Sequence, residues 1–485
     1  MIKFFSCLFF ILIYNFKYTN QIINLVIIFN LILLNNIISK INKKENIFIL
    51  NLIFNRIKSS GCLTIKFTQW FISRMKLNYK YNEYPEWLRL FDKLYDDCNI
   101  HDFKYTTSII ENHFNDKIEN IFQDISTEPL SSGSIAQVHK CIYNNKECVI
   151  KIKHPNLLDN CYIFYNILYF VKFCLSLSLK KYFYKVLPPI NIKNFIENIE
   201  KQIYLNIEAN NMKRMYNEYE NNDYIIIPKC YYSTDDFIIM SYEEGTYFKD
   251  LQESEGKKYK IILLLLMLFK NMSLIKQNVH GDLHCCNWKV RPYGVDHQII
   301  LYDFGITFQI EDWNECFIAW DTYDHKKIID EIELIIDYNP YSKERFNVIK
   351  KELYKNTDTL LQKPLKMTSI LQVLSKWANK HNIIYNSTFL NYAITGSLLE
   401  YDFKEYLINR YGQNNNQIKY IVPKSDFLTH YNFCKTKQLF PELQKKLQEY
   451  ISMYTQINEL FYDIENKLQI YGAKIDSNQS KYISI

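Results

Sequence analysis

His280-Gly281-Asp282-Leu283-His284-Cys285-Cys286-Asn287, followed one strand hairpin later by Tyr302-Asp303-Phe304-Gly305, decides how this 485-residue chain is read. Asn287 stands five residues after Asp282, and a second carboxylate, Asp303, lies beyond a short β-rich interval. Phosphoryl transfer asks for these groups in this order. It needs a carboxylate to orient or accept the proton of the attacking group, then an amide and a second carboxylate to hold magnesium against phosphates. Asp282 is the candidate base, and Asn287 and Asp303 are the candidate magnesium ligands. A D-F-G tripeptide alone is a weak signal, because a carboxylate before an aromatic residue and a glycine often marks only a strand end entering a turn.

The segments upstream strengthen it. Cys148-Val149-Ile150-Lys151 fits the V-A-I-K strand of protein kinases, whose Lys pairs with nucleotide phosphates and with a helix Glu. Pro129 to His139 places a Gly/Ser turn between extended segments, where a phosphate-covering loop belongs. Phe237 to Tyr242 is an apolar strand running into Glu243-Glu244-Gly245, as the hinge between kinase lobes does. The chain has only 10 Gly, so each one marks a backbone demand that other residues meet badly. Gly61, Gly133, Gly245, Gly281 and Gly305 all fall within these motifs or the Lys66 segment described below.

Composition bounds the remainder. With 48% hydrophobic and 23% charged residues the chain is globular. Its net charge of +6 is spread along the sequence, and no segment interleaves dense Lys/Arg with aromatics, so nucleic-acid binding is unsupported. The 12 Cys form no C-x-x-C pair, which argues against a zinc site or a disulfide framework and for a reducing compartment. Phe4 to Tyr14 and Ile22 to Ile38 are strongly apolar runs. The second, flanked by Lys17, Lys40, Lys43 and Lys44, approaches the roughly 20 residues of a membrane span, while Asn24, Asn30, Asn35 and Asn36 weaken it. A membrane anchor or hairpin, a cleaved signal and an ordinary buried helix all remain open. A spanning segment would leave the catalytic part on the cytosolic side or its equivalent. No Gly follows Met1 and the chain ends Tyr-Ile-Ser-Ile, so neither myristoyl nor prenyl anchoring is signalled.

Along the chain, residues 45 to 120 show helical periodicity, with Trp87, Leu90, Phe91 and Leu94 on one face. Ile135 to Tyr143 and Cys148 to Ile152 read as a hairpin joined by Asn144-Asn145-Lys146. Helix returns from Asn160 to Glu218, and Ile225-Ile226-Ile227 with Phe237 to Met240 read as the remaining small-lobe strands. From Leu251 onward the pattern is mostly helical except around Ile299 to Ile306. The apolar run Ile261 to Phe269 reads as the central buried helix of a large lobe.

Together these residues resemble the UbiB-like atypical kinases, also called the aarF-domain-containing kinase family. Its catalytic loop, H-x-D-x-H-x-x-N, is matched by His280 to Asn287, including the second His at His284. Its Ala/Ser-rich loop followed by S-I-x-Q-V-H is matched by Ser131 to His139. Its N-terminal K-x-G-Q helix, which folds over the active site and restricts access of protein substrates, resembles Lys66-Phe67-Thr68-Gln69, with Thr68 in place of Gly. Glu208 matches the helix Glu that pairs with the strand Lys, here Lys151. The family's E-x-D pair is replaced by Gln202-Ile203-Tyr204.

The resemblance covers roughly residues 55 to 400. It implies an α+β, protein-kinase-like two-lobe fold with a small β-rich lobe, a large helical lobe and an N-terminal helical extension. The expected divisions are an apolar segment 1–44, the extension 45–120, a small lobe 121–245, a large lobe 246–425 and a helical tail 426–485. It also implies an atypical kinase or ATPase using ATP and Mg2+, on a lipid-like, quinone-like or other small molecule at a membrane. Catalytic roles fall to Asp282, His284 and Lys151. Nucleotide contacts fall to Ser131, Ser132, Gly133, Ser134, Lys151, Glu208, Ser241, Tyr242 and Glu243, and regulatory ones to Lys66 and Gln69. The competing reading is a nucleotide-binding pseudokinase scaffold. An ordinary Ser/Thr protein kinase fits less well, since G-x-G-x-x-G and A-P-E are absent.

Overall fold

The computed structural model describes residues 19–42, 44–76, 85–95, 100–157, 192–310, 343–355, 388–397 and 427–455, with a few isolated positions between them. Helix α1 (Thr19–Asn42) and helix α2 (Ile47–Ser59) form a hairpin. Asn46 caps α2 by accepting the Ile49 N–H at 3.2 Å, a bond that satisfies one orphan donor of the first turn. Ile49, Leu50, Ile53, Phe54 and Ile57 follow the 3.6-residue period and bury one face of α2. They share a core with Ile28 of α1 and with Ile65 and Ile72 of α3 (Cys62–Lys76).

Two of the asparagines that dilute the apolar α1 have structural partners. Asn24 Oδ1 accepts from Arg56 at 3.1 Å, and Asn35 Oδ1 accepts the Asn46 N–H at 3.3 Å. Among the described residues no helix is long and apolar enough to cross a membrane, which corrects the spanning reading of Ile22 to Ile38. The run Phe4 to Tyr14 lies outside the described residues. After α4 (Glu86–Phe91) and a 3-10 turn at Asp92–Tyr95, α5 (Phe103–Phe114) begins at Asp102, which caps it through the Lys104 N–H at 2.9 Å. A single turn, α6 (Ile118–Ile121), leads into the first sheet.

That sheet is the small lobe. It contains β1 (Asp124–Ile125), β2 (Ser131–Ser132), β3 (Ala136–Tyr143) and β4 (Lys146–Lys153), then β6 and β7 further on, in the order β1-β3-β4-β7-β6 with β2 also on β3. The β3–β4 hairpin turns through Asn144 and Asn145, at φ 50° and 57°, the paired left-handed conformation of a type I′ turn, which asparagine tolerates. Helices α7 (Ile192–Ile203) and α8 (Leu205–Tyr219) follow. Cys148, Ile150, Ile152, Phe237 and Ile239 bury one face of the sheet with Ile110 of α5, while Ile238 shares the main core with Leu205 and Ala209 of α8.

Strand β5 (Ile225–Ile226) departs from expectation. It pairs in parallel with β10 (Asp296–Leu301), Ile225 opposite Ile299, and so belongs to a second sheet, β5-β10-β9, instead of the small-lobe sheet. A fully apolar run signals burial without saying on which sheet. Strands β6 (Cys230–Ser233) and β7 (Phe237–Ser241) complete the small lobe. Helix α9 (Glu255–Asn271), capped by Ser254, buries Ile261 through Leu265 and Met267 through Phe269. It is the central large-lobe helix the sequence predicts.

Around the quoted motif lie β8 (Asn278–His280), β9 (Trp288–Tyr293), β10 and β11 (Thr307–Gln309), with β8 pairing β11 and β9 pairing β10. Strand β8 interrupts a region read as helical, since its three residues are too few to express a period, while β9 and β10 form the strand hairpin that separates the two quoted motifs. Further on come α10 (Lys343–Lys355), α11 (residues 388–397), α12 (Phe427–Lys437) and α13 (Pro441–Thr455). The last two are integrated with the large lobe: Phe433, Cys434, Phe440, Leu443 and Leu447 join its core, and Lys437 pairs with Asp296 at 2.7 Å. The architecture is the protein-kinase-like α+β arrangement of a small β-rich lobe and a larger helical one.

Candidate nucleotide and phosphoryl-transfer site

Strand β4 and helix α8 bring Lys151 and Glu208 together. Lys151 Nζ donates to Glu208 Oε1 and Oε2 at 2.6 and 2.9 Å, and Asp303 Oδ1 lies 3.6 Å from the same nitrogen. Burial alone would push the Lys151 ammonium toward neutrality. The carboxylates of Asp303 and Glu208 overcome it and hold the pKa above the usual lysine range. The Asp303 carboxyl, opposed by burial, is held well below the usual carboxylate range by Lys151, by Lys66 and by the Gly305 N–H. Its side chain keeps 42% exposure, and its φ of 56° is a left-handed conformation uncommon for a non-glycine residue.

The catalytic loop is fixed from within. His280 is fully buried, its Nε2–H donates to Tyr302 O at 3.0 Å, and its Nδ1 accepts the Asp282 N–H at 3.2 Å. Asn287 Nδ2 donates to Asp282 O at 2.8 Å, and Tyr302 N–H donates to Asn287 O at 2.8 Å. Gly281 is required by close approach, since a Cβ there would stand 2.6 Å from Ile306 Cγ2. From α11, the Thr395 hydroxyl reaches Gly281 O at 2.8 Å.

His284 Nδ1 accepts the Cys286 N–H at 3.2 Å, so the proton of the neutral ring sits on Nε2, 3.5 Å from Asp282 Oδ2. Burial works against protonation of His284, but the Asp282 charge raises its pKa, and in turn His284 and Lys66 lower that of Asp282 against the cost of burial. Asp282 is therefore an ionised acceptor at neutral pH. The donors suited to a cation are Asn287 Oδ1 and the Asp303 carboxylate, Asn287 being tied through its backbone carbonyl to Tyr302, the residue before Asp303. This all-oxygen pair fits Mg2+, which takes one or two protein carboxylates and fills its octahedron with phosphate and water oxygens.

Ser131 to Gly133 form the covering turn. Ser131 and Ser132 pair with Val138 and Gln137, and Ser134 is buried. Behind it lies a chain that sequence reading missed. His154 Nε2 bonds Gly133 O at 3.0 Å, His154 Nδ1 meets His101 Nδ1 at 2.8 Å, and His101 Nε2 meets Thr106 Oγ1 at 3.1 Å. With both rings neutral, one assignment satisfies all three links: Thr106 O–H donates to His101, His101 Nδ1–H to His154, and His154 Nε2–H to Gly133 O. Burial agrees, lowering His154 and taking His101 down to about 4. His154 directly follows β4, but nothing in the sequence signals its pairing with His101.

At the hinge, the N–H groups of Ser241 and Tyr242 donate to Lys229 O and Glu147 O, at 2.9 and 3.2 Å, and so are already engaged. The Tyr302 hydroxyl donates to Glu243 O at 2.6 Å, tying the hinge to the residue before Asp303. The Glu243 carboxylate receives Ser241 Oγ and Arg291 Nη1 at 2.9 and 3.0 Å. On α3, Lys66 contributes its charge to both Asp282 and Asp303. Gln69 is buried and donates to Leu94 O at 2.8 Å, and Thr68 returns its hydroxyl to Thr64 O at 2.7 Å, which accommodates it within a buried helix face. Gln202 donates to Asn198 O at 2.9 Å and packs on the D-F-G glycine, its Cγ 3.3 Å from where a Gly305 Cβ would stand.

With this geometry in view, residues 93–330 match the family described as the ABC1 atypical kinase-like domain. A probable serine/threonine-protein kinase, abkC of Dictyostelium discoideum, is 31% identical over 51% of this chain and 35% of its own length. AarF domain-containing protein kinase 1 of Xenopus laevis is 24% identical over 46% of this chain and 44% of its own. The probable protein kinase UbiB of Glaesserella parasuis is 24% identical over 48% and 46%. The chain thus spans less than half the length of each of these three relatives.

Proposed function

Over residues 93–330 the chain belongs to the ABC1 atypical kinase-like family, and on that premise we propose that it binds magnesium ATP and transfers or hydrolyses the terminal phosphate, on a lipid-like or small-molecule substrate at a membrane. The observation that carries this is the Lys151–Glu208–Asp303 triad at 2.6 and 3.6 Å. It supplies one fixed cation for the phosphates and one ionised carboxylate for magnesium. Asp282, held ionised beside His284, accepts the proton of the attacking group or orients it. Asn287 and Asp303 would hold magnesium, which neutralises phosphate charge when bound. The Gly133 turn shields the phosphates from water, and Lys66 adds positive charge over the two carboxylates. The test is release or transfer of radiolabel from γ-labelled ATP by detergent-purified full chain. Turnover lost in Asp303→Asn and Asp282→Asn is expected, whereas wild-type counts no higher than those of Asp303→Asn sink the proposal.

One observation favours the scaffold reading. Gln202, which packs against Gly305, stands at the first position of the E-x-D pair in the family pattern this chain resembles, so one candidate anchor for metal is missing. Nucleotide-dependent lipid or partner binding that survives Asp282→Asn, without turnover in the wild type, is the outcome that reading requires.

Membrane association is supported by the tip of the α1–α2 hairpin. Ile41, Ile47 and Phe48 are 74%, 55% and 71% exposed, Lys44 beside them is exposed, and neither helix contains an acidic residue. Apolar side chains with a cation at a helix junction suit shallow insertion at an anionic bilayer surface. Flotation with vesicles containing anionic phosphatidylglycerol should recover the full chain and should lose it on Phe48→Asp. Equal flotation of both proteins excludes this surface.

A further inference from the structure

The catalytic loop carries two groups that the phosphoryl-transfer chemistry does not use. Cys285 and Cys286 are adjacent, both reduced, with Sγ atoms 4.0 Å apart. Among the described cysteines Cys285 alone is exposed, while Cys286 is half-buried and Cys141, Cys148 and Cys434 are buried. An oxidant therefore meets Cys285 first and finds a second thiol 4.0 Å away.

We propose that Cys285 and Cys286 are a redox-modification site, a dithiol that low-molecular-weight disulfides oxidise to an intraloop disulfide and that thereby disables the magnesium ligand next to it. The chemistry balances in two exchanges. The Cys285 sulfur attacks the small disulfide, forming a mixed disulfide and releasing one small thiol. The Cys286 sulfur then displaces the second small thiol, so that two electrons and two protons leave the protein with the two thiols.

Geometry supplies the consequence. Neighbouring Cα atoms stand about 3.8 Å apart across a trans peptide, closer than the usual disulfide span of about 4.4–6.8 Å, so the closed ring is strained and easily reduced. Closing it must turn the peptide between the two cysteines. That peptide carries the Cys286 N–H that donates to His284 Nδ1. The next residue is Asn287, whose backbone N–H donates to His284 O at 2.8 Å and whose amide braces Asp282 O. Oxidation therefore displaces the Asn287 carboxamide and the His284 ring together.

The effect on magnesium rests on the proposed nucleotide reading, whereas the thiol chemistry does not, and one experiment separates them. The full chain is exposed to glutathione disulfide, and the peptide containing residues 285 and 286 is weighed. The expected result is loss of two hydrogens, restored by dithiothreitol, with Cys286→Ser trapped as a stable glutathione adduct at Cys285. Magnesium ADP affinity should fall at least tenfold on oxidation and return on reduction. A peptide that stays a dithiol while Cys62, Cys98 and Cys230 are modified overturns the site. Intraloop oxidation with unchanged nucleotide affinity overturns the coupling. If the reduced protein binds no nucleotide, the functional reading fails, and the peptide mass still decides the dithiol.

Discussion

The turn at Gly133 and the loop at Asp282 bound the candidate site from the two lobes, and the side chains gathered around them differ in charge. Behind the turn, Thr106, His101 and His154 pass neutral hydrogen bonds to Gly133 O. The loop's backbone is likewise braced by neutral bonds from His280, Asn287 and Thr395, but the side chains gathered around it are charged, with Lys151 set between Glu208 and Asp303 and Asp282 beside His284. On the proposed reading, a turn over phosphates needs no charge of its own where Lys151 supplies the cation. A surface that binds magnesium must be anionic, and its carboxylates need a fixed cation to stay close together. The two sides should accordingly fail under different conditions.

The largest expected effect is on the charged side. Lys151→Met leaves Glu208 buried without its cation, and breaking such a pair costs about 3–5 kcal/mol, read as a lower urea midpoint. Adding Glu208→Gln should restore part of that loss. A double variant no more stable than the single one would show that the pair is not the source of the cost. On the neutral side, His154→Ala strands Gly133 O and one nitrogen of His101, at about 1–3 kcal/mol. It should weaken nucleotide binding while leaving the pH dependence of any turnover unchanged, because it touches no charged group of the loop.

Acid should distinguish the sides more finely. His101 is held down to about 4 when folded, against about 6.5 when unfolded. The unfolded chain then binds the extra proton first, so the stability His101 confers is complete above about pH 6.5 and is lost as pH falls toward 4. Asp303, whose folded pKa is lowered, loses its contribution only below the ordinary carboxylate range. Unfolding midpoints measured between pH 7 and pH 4 should fall in the wild type and fall less in His101→Gln. Parallel curves would remove the neutral chain from the account. The smallest effect expected is that of Tyr302→Phe, which deletes the hydroxyl bond to Glu243 O for about 1 kcal/mol and should show as faster amide exchange at the hinge.

The charged side was legible in the sequence and the neutral side was not, for a physical reason. Magnesium and phosphate chemistry permits few residue types at few spacings, so Asp282, Asn287 and Asp303 announce themselves. The β3–β4 hairpin and the buried α9 were equally readable, from two asparagines and an apolar run. His101 and His154 meet across 53 residues, and Thr395 reaches Gly281 across 114. Such pairings depend on the finished packing and leave no local pattern. The Ile225–Ile226 strand was visible as a strand but not as a partner of β10, and two asparagines of α1 looked like interruptions until Arg56 and Asn46 were seen bonded to them.

The pairing of β8 with β11 bears on which compounds could occupy the site. Thr307 lies opposite His280, Gly281 N–H donates to Ile306 O at 2.8 Å, and Asn211 Nδ2 donates to Phe304 O at 3.0 Å. Phe304 itself is buried against the His280 ring, with centroids 5.4 Å apart. An inhibitor that needs this phenylalanine swung out of its pocket must first unzip those contacts and so associates slowly. One that lies flat between the hinge and Lys151 meets no such barrier, which makes association rate, more than affinity, the property that should sort inhibitor chemotypes on this protein.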